Sequence, residues 1–239
     1  MTHRFWLVRH ALVHPDSLTY LYGTNDVPVC DTTMAADAPR YAALAARLPR
    51  PARLVCTPLS RTQLTAAAVM RAGYPEQTPL IDAAFVEQNF GDFQGLPVRE
   101  FDTRPIARLQ GTPLANARHP FWPIHAEETP PGGESFDAMI ARVGAGLERL
   151  AGNATGDNTI IVSHGGAIRA ACAHALGLTA HQALCLAVDN ISLTRMERND
   201  HGWRVLSINE HLSTLTCETT SQPSIAPTHN AHKQTQGVI

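Results

Sequence analysis

The chain has 239 residues, 44% of them hydrophobic, and a formal net charge of −2. That length and apolar content suit one domain with a sizeable core, and the charge leaves no basic surface to recruit nucleic acid. No run approaches the ~18 apolar residues of a membrane span.

Five cysteines (Cys30, Cys56, Cys172, Cys185 and Cys217) form no CxxC pair and show no metal-ligand spacing. They are expected as reduced thiols of a cytoplasmic protein with no bound metal or other cofactor. With an Arg-His pair as early as residue 9, no removable leader is expected ahead of it. The twelve histidines are scattered, and most are expected to be solvated.

Phe5 to Val8 is a short run of bulky apolar residues, predicted as a buried strand, and it ends in Arg9 and His10. A strand that delivers two polar side chains to its carboxyl end puts them where open α/β sheets hold ligands. Arginine offers a planar fork of donors for phosphate or carboxylate, and histidine a nitrogen nucleophile or an acid–base group near neutral pH. His14 to Asp31 reads as a loop. Tyr41, Leu44, Ala45 and Leu48 recur at helical spacing. Asp31 or Asp37 begins that helix, Pro39 has to lie in a first turn, and Pro49 and Pro51 end it. Arg53 to Cys56 is a second strand. Leu59 to Arg71 is a helix stopped by Gly73 and Pro75, and Pro79 to Ile81 is a third strand. Phe85 to Gly95 is irregular.

Thr103 to Gly133 is rich in proline and carries Arg104, Arg108, Arg118 and Trp122. It is expected as a lid-like insertion, an exposed cover over the carboxyl edge of the sheet. Its histidines His119 and His125, its three arginines and His14 are secondary candidates for touching a ligand. After Pro130-Pro131-Gly132-Gly133, the positions Phe136, Met139, Ile140, Val143, Leu147 and Leu150 share one helical face. Glu134 and Ser135 are placed to cap that helix. Gly144 and Gly146 inside it cost about 1 kcal/mol each against alanine, which indicates close packing there. Thr159 to Ser163 is an apolar strand that runs into His164-Gly165-Gly166. Ile168, Ala171, Cys172 and Ala175 form a helical stripe, with Gly177 suited to the position after its end. Ile191 to Met196 and Trp203 to Ile208 are strands joined through Asn199-Asp200-His201-Gly202, a hairpin signal. From about Thr216 the chain is polar and without period, so 216–239 is expected as a disordered tail.

Strands alternating with helices predict an α/β fold. It is a three-layer α/β/α sandwich whose mostly parallel sheet has an antiparallel edge hairpin, in one catalytic domain over 1–215. Four segments share one device. The first strand ends in Arg9-His10, and the second leads through Thr57-Pro58 into a helix whose first turn carries Arg61. The Phe85 segment presents Glu87, and the Thr159 strand ends in Ser163-His164-Gly165-Gly166. In a parallel sheet all four reach one edge. Two guanidiniums and helix amino ends suit a dianion, phosphate above all, and the glycines allow backbone to approach it closely.

Leu7-Val8-Arg9-His10, the run Cys56 to Ala66, Glu87 with Gly91 to Gly95, Gly132-Gly133-Glu134-Ser135 and Ser163-His164-Gly165-Gly166 stand in this order. They resemble the histidine phosphatase superfamily, in its phosphoglycerate-mutase-like branch. The Pro-Pro-Gly-Gly-Glu-Ser run is most similar to bacterial small-molecule phosphatases such as alpha-ribazole phosphatase. The resemblance implies that His10 becomes phosphorylated, that Arg9, Arg61 and His164 hold the phosphoryl oxygens, and that Glu87 protonates the leaving oxygen and then helps to deprotonate water. Gly165 lies against the substrate.

One departure is visible. The family's polar residues after Arg-His are replaced by Ala11-Leu12-Val13, and Asp16, near a usual Asn position, is expected to point away from phosphate. The implied activity is metal-independent hydrolysis of a small-molecule phosphate ester through phosphohistidine. The alternatives are a phosphoglycerate mutase using the same site and a phosphate-binding regulatory pseudoenzyme.

Overall fold

A computed structural model describes residues 2–102, 118–153 and 156–213. Six strands form one sheet: β1 (His3–Arg9), β2 (Arg53–Cys56), β3 (Leu80–Ile81), β4 (Asn158–Ser163), β5 (Leu193–Asn199) and β6 (Gly202–Glu210). Their order is β3-β2-β4-β1-β5-β6. The first four are parallel; β5 is antiparallel to β1, and β6 closes the edge as a hairpin with β5. The mostly parallel sheet with its antiparallel edge is therefore as expected.

The strand period of two divides β1 between two cores. Phe5 and Leu7 face α4 (Phe136–Gly152), α5 (Gly165–Leu176) and α6 (Ala180–Leu184). Trp6 and Val8 face α2 (Ala38–Arg47) and α3 (Ser60–Arg71). Helices on both faces make the three layers. Among the described residues, no helix is long and apolar enough to cross a membrane.

The helix expected after residue 31 is two helices. A short α1 (Asp31–Ala36) precedes α2, and Pro39 occupies the first turn of α2, where a missing N–H costs nothing. Neither Asp31 nor Asp37 caps a helix with its side chain; Asp37 pairs instead with Arg40 at 3.2 Å. In α4 the predicted face is buried except for Ile140, which is half-buried. Its glycines lie where neighbours leave no room. A Cβ on Gly144 would come 2.3 Å from His174 Nδ1, and one on Gly146 would come 2.8 Å from Ala84 Cβ. Ser135 caps α4 by accepting from Ala138 N at 3.1 Å. Glu134 does not cap it; it accepts from Asn89 N at 3.0 Å and pairs with Arg142 at 2.6 Å. The sequence also passed over α6, which is too short to show a period. A capping box of Thr179 and Gln182 starts it.

Residues 103–117 of the expected insertion and the expected tail 216–239 lie outside the described residues, as do Arg104, Arg108 and Cys217. The other four cysteines are free thiols. Residues 118–133 are seated on the body more than an exposed cover would be. Ile124 and Ala126 are buried, and Ile124 joins a small apolar cluster with Leu21, Phe90 and Phe101. Apolar side chains spaced irregularly along a proline-rich segment give no periodic signal, so this anchoring was invisible in the sequence.

Gly91 and Gly133 lock the loop carrying residues 87–95 against the start of α4. Gly91 has φ +51°, and a Cβ there would come 2.0 Å from the Pro131 carbonyl oxygen. Gly91→Ala should therefore lower the urea midpoint, losing at least about 1–2 kcal/mol from the left-handed backbone alone. Gly152→Ala, at a site with open space around it, should leave stability unchanged or raise it.

Candidate active site

Strand register brings the first part of the site together. Arg9 on β1 pairs with Ser163 on the adjacent β4, and His10 N donates to Ser163 O at 2.9 Å. The next residue on each strand is a histidine. The rings of His10 and His164 are 5.1 Å apart, edge to face, and both are buried. On the other side of β4, Cys56 pairs with Val162, so Thr57 also leaves the sheet here. Its Oγ1 lies 3.0 Å from His164 Nε2.

His10 is held at both ends. Asn190 Nδ2 donates to its carbonyl at 2.8 Å, and Thr65 Oγ1 accepts from Ala11 N at 2.8 Å. The ring's Nδ1 lies 2.6 Å from the Ala11 carbonyl oxygen. A carbonyl only accepts, so Nδ1 carries the proton and Nε2 of the neutral ring keeps its lone pair.

Arg61 enters from the first turn of α3, whose Ser60 N–H donates to Asp26 Oδ1 at 2.9 Å. It is 0% exposed. Nη2 donates to Gly23 O at 2.7 Å, Nη1 to Asn25 O at 2.8 Å and Nε to His164 Nδ1 at 3.3 Å. Both nitrogens of His164 are thus engaged, one by Arg61 and the other by Thr57. Arg9 Nη1 donates to Val188 O at 2.6 Å, while its buried Nε has no partner.

Glu87 follows a 3-10 turn over Ala83–Phe85. Ser163 Oγ donates to the Phe85 carbonyl at 2.7 Å, which ties this loop to the end of β4. The Glu87 carboxylate accepts from Gln88 N at 2.9 Å and from Gly166 N at 3.0 Å, in the first turn of α5. A Cβ on Gly166 would come 2.0 Å from Glu87 Oε1, so a side chain there would displace the carboxylate. Gly165 lies under two guanidiniums, with its would-be Cβ 3.3 Å from Arg9 Nε and 3.2 Å from Arg169 Nη1.

A cavity of about 250 Å³ opens above Arg9, Glu87 and Gly165. Tyr20, Tyr22, Phe90, Phe121 and Trp122 give it an aromatic wall, and Arg118 and Arg169 add positive charge. Arg118 is already paired with Asp102 at 2.9 Å. His10, Arg61 and His164 are not among the residues that line it.

Two further residues were not chosen from the sequence. Arg169 is one helical turn beyond Gly165, a spacing that could have revealed it. Tyr22 sits in a loop with no such signal. Of the secondary candidates among the described residues, only Arg118 lines the cavity. His14 is half-exposed beside Asp16, whose own carboxylate faces solvent. His125 accepts from Glu127 N within its own turn. His119 is buried beside His181 and does not itself line the cavity.

Burial first, then the charges of Arg61 and Arg9, hold the His10 imidazole well below its ordinary value of 6.5. Burial first, then His10 and the same arginines, do so for His164. Both rings are neutral in the folded protein near pH 6.5, and both bind a proton more readily when unfolded. Between 6.5 and the lower folded values the unfolded state holds more protons, so stability should fall as pH drops through this window. Urea unfolding from pH 7 downwards checks this. His10→Asn should flatten the slope. His10 itself should titrate below 6.5 by NMR.

The profile of the histidine phosphatase superfamily (branch 1) matches residues 5–211. The bifunctional protein Rv2228c of Mycobacterium tuberculosis is 34% identical over 113 residues, 47% of this chain. The match spans 28% of that protein's length. The fold is similar to alpha-ribazole phosphatase from Shigella flexneri, with TM-score 0.67 and 21% identity over 89% of this chain and 98% of that one. It is also similar to phosphoglycerate mutase from Bacillus anthracis, with TM-score 0.69 and 16% identity over 88% of this chain and 94% of that one. Phosphatases and mutases share this architecture, and the ordered match over nearly all of the described residues means that this chain belongs to the histidine phosphatase superfamily.

Proposed function

We propose that the chain hydrolyses a small-molecule phosphate monoester through a phosphohistidine on His10, without a metal. The observation that carries this reading is the His10 ring. It is buried and neutral, and its Nδ1 proton is given to the Ala11 carbonyl. A neutral imidazole with a free Nε2 lone pair is a nucleophile at neutral pH and needs no metal to activate it.

In the first step Nε2 attacks phosphorus and the bond to the leaving oxygen breaks, with Glu87 supplying that oxygen's proton. In the second step water attacks the phosphohistidine, Glu87 takes its proton, and phosphate leaves. Arg9 and Arg61 hold the phosphoryl oxygens in place and balance their charge through a loose transition state. Gly165 lets the phosphoryl group approach the backbone at the start of α5. His164 fixes Arg61 through Nδ1; it contacts phosphate only by exchanging one of its present partners.

The aromatic wall supports a leaving alcohol with flat apolar surface. Phe121, 65% exposed at the rim, extends that surface outwards. A second reading, phosphoglycerate mutase, is favoured by Arg169, whose guanidinium beside Gly165 could hold a substrate carboxylate. Against it, Arg118 is committed to Asp102, and Ala11-Leu12-Val13 offers no side-chain polar group to position an acceptor.

His10→Ala should lower kcat by at least about 10⁴-fold, as loss of a nucleophile does, and leave circular dichroism unchanged. Wild-type protein quenched in alkaline detergent should carry acid-labile, alkali-stable phosphate on His10; label on serine or aspartate rejects the mechanism. Glu87→Gln should slow alkyl phosphates by about 10²-fold or more, yet p-nitrophenyl phosphate much less, since that leaving group needs little protonation. kcat should persist in EDTA, and naphthyl phosphate should be turned over faster than 3-phosphoglycerate. Rapid isomerisation of 3-phosphoglycerate with little free phosphate would assign a mutase.

A further inference from the structure

Behind the aromatic wall, the segment after residue 118 meets α6 at a cluster that phosphoryl transfer does not use. His119, His181 and Cys185 each bring one ligand atom, and these atoms lie within 4.8 Å of one another. The two imidazole rings are 4.6 Å apart, edge to face. Cys185 Sγ is 3.9 Å from His119 Nε2. His181 and Cys185 are four residues apart across the end of α6, so both side chains leave the same face. Ala180, Ala183 and Leu184 bury the other face and fix the helix.

We propose that His119, His181 and Cys185 form a binding site for a thiophilic d¹⁰ cation such as Zn²⁺. Two imidazoles and a thiolate are the donors such ions select, and none of the three is the hard oxygen ligand that Mg²⁺ or Ca²⁺ requires. Bond lengths of about 2.0–2.3 Å call for ligand atoms closer together than the present spacing. The adjustment falls on His181 and Cys185, which are both exposed, while His119 is the buried anchor.

Proton accounting fits. The Cys185 thiol, which now donates to the His181 carbonyl at 3.4 Å, loses its proton to solvent on binding. His119 Nδ1 now accepts from Phe121 N at 3.2 Å. Coordination through Nε2 moves the ring proton to Nδ1 and gives up that long bond together with the ring's hydrogen bond to the His181 backbone. Three protein ligands leave a fourth position for water on the exposed side. The ion would join α6 to the segment that carries Arg118, Phe121 and Trp122, and so would fix one wall of the cavity. The site stands independently of the phosphatase reading.

The test uses the full chain stripped of metal and titrated with Zn²⁺ and, for its spectrum, Co²⁺. One equivalent of Zn²⁺ should bind and raise the unfolding temperature, and Co²⁺ should show a thiolate-to-metal charge-transfer band. Cys185→Ser and His181→Ala change exposed positions and should fold normally. Each should weaken Zn²⁺ at least about tenfold, because neither replacement is a ligand for a thiophilic ion, and Cys185→Ser should abolish the band. His14→Ala, outside the cluster, should bind as the wild type does. Absence of binding by the wild type, or equal binding by the Cys185 and His181 variants, would overturn the proposal.

Discussion

A buried guanidinium without a carboxylate sets the terms for this molecule. Arg61 gives its donors to two backbone carbonyls and a neutral imidazole, and no described carboxylate pairs with it, with Arg9 or with Arg169. An unpaired charge away from water costs several kcal/mol, which carbonyl dipoles offset only in part. Burial first, and then the positive field that remains, keeps His10 and His164 from taking a proton. It also leaves a deficit that an incoming dianion can make good. Nucleophile and anion site therefore share one buried, positively charged setting. The sheet serves the same end, because parallel pairing of β1 with β4 lands the two histidines side by side.

Much of this was legible in the residues. Arg9, His10 and His164 end strands whose apolar runs are unmistakable, so their common edge follows once the strands are parallel. Arg61 sits in the first turn of a helix that a Thr-Pro turn announces. Glu87 was placed by resemblance and order, since its loop has no period; what fixes it is the Ser163 hydroxyl and the Gly166 amide, contacts between segments far apart in sequence. Tyr22, Trp122 and the burial of His119 were not legible for the same reason. They depend on irregular loops folding onto the body, and local spacing carries no record of that.

The two parts of the site have different foundations. The phosphoryl end rests on strand ends and helix starts, where backbone geometry is over-determined. The other end is a set of side chains from loops, joined by a small apolar cluster of Leu21, Phe90, Phe101 and Ile124. Such segments have fewer buried contacts per residue than a sheet core and open at lower free energy. Motion in this protein should therefore concentrate in the aromatic wall while the charged floor stays rigid.

Trp122 joins those two parts. Its Nε1 donates to Gln88 Oε1 at 2.8 Å, and Gln88 Nε2 donates to the Glu134 carbonyl at 2.9 Å. Gln88 is fully buried and is the immediate neighbour of Glu87. A lineage that replaced the indole to admit a different substrate would strand a buried amide oxygen beside the acid. Drift of specificity is therefore not free of the chemistry. Positions 88 and 122 should change together among descendants of this fold, and the wall should evolve in paired steps.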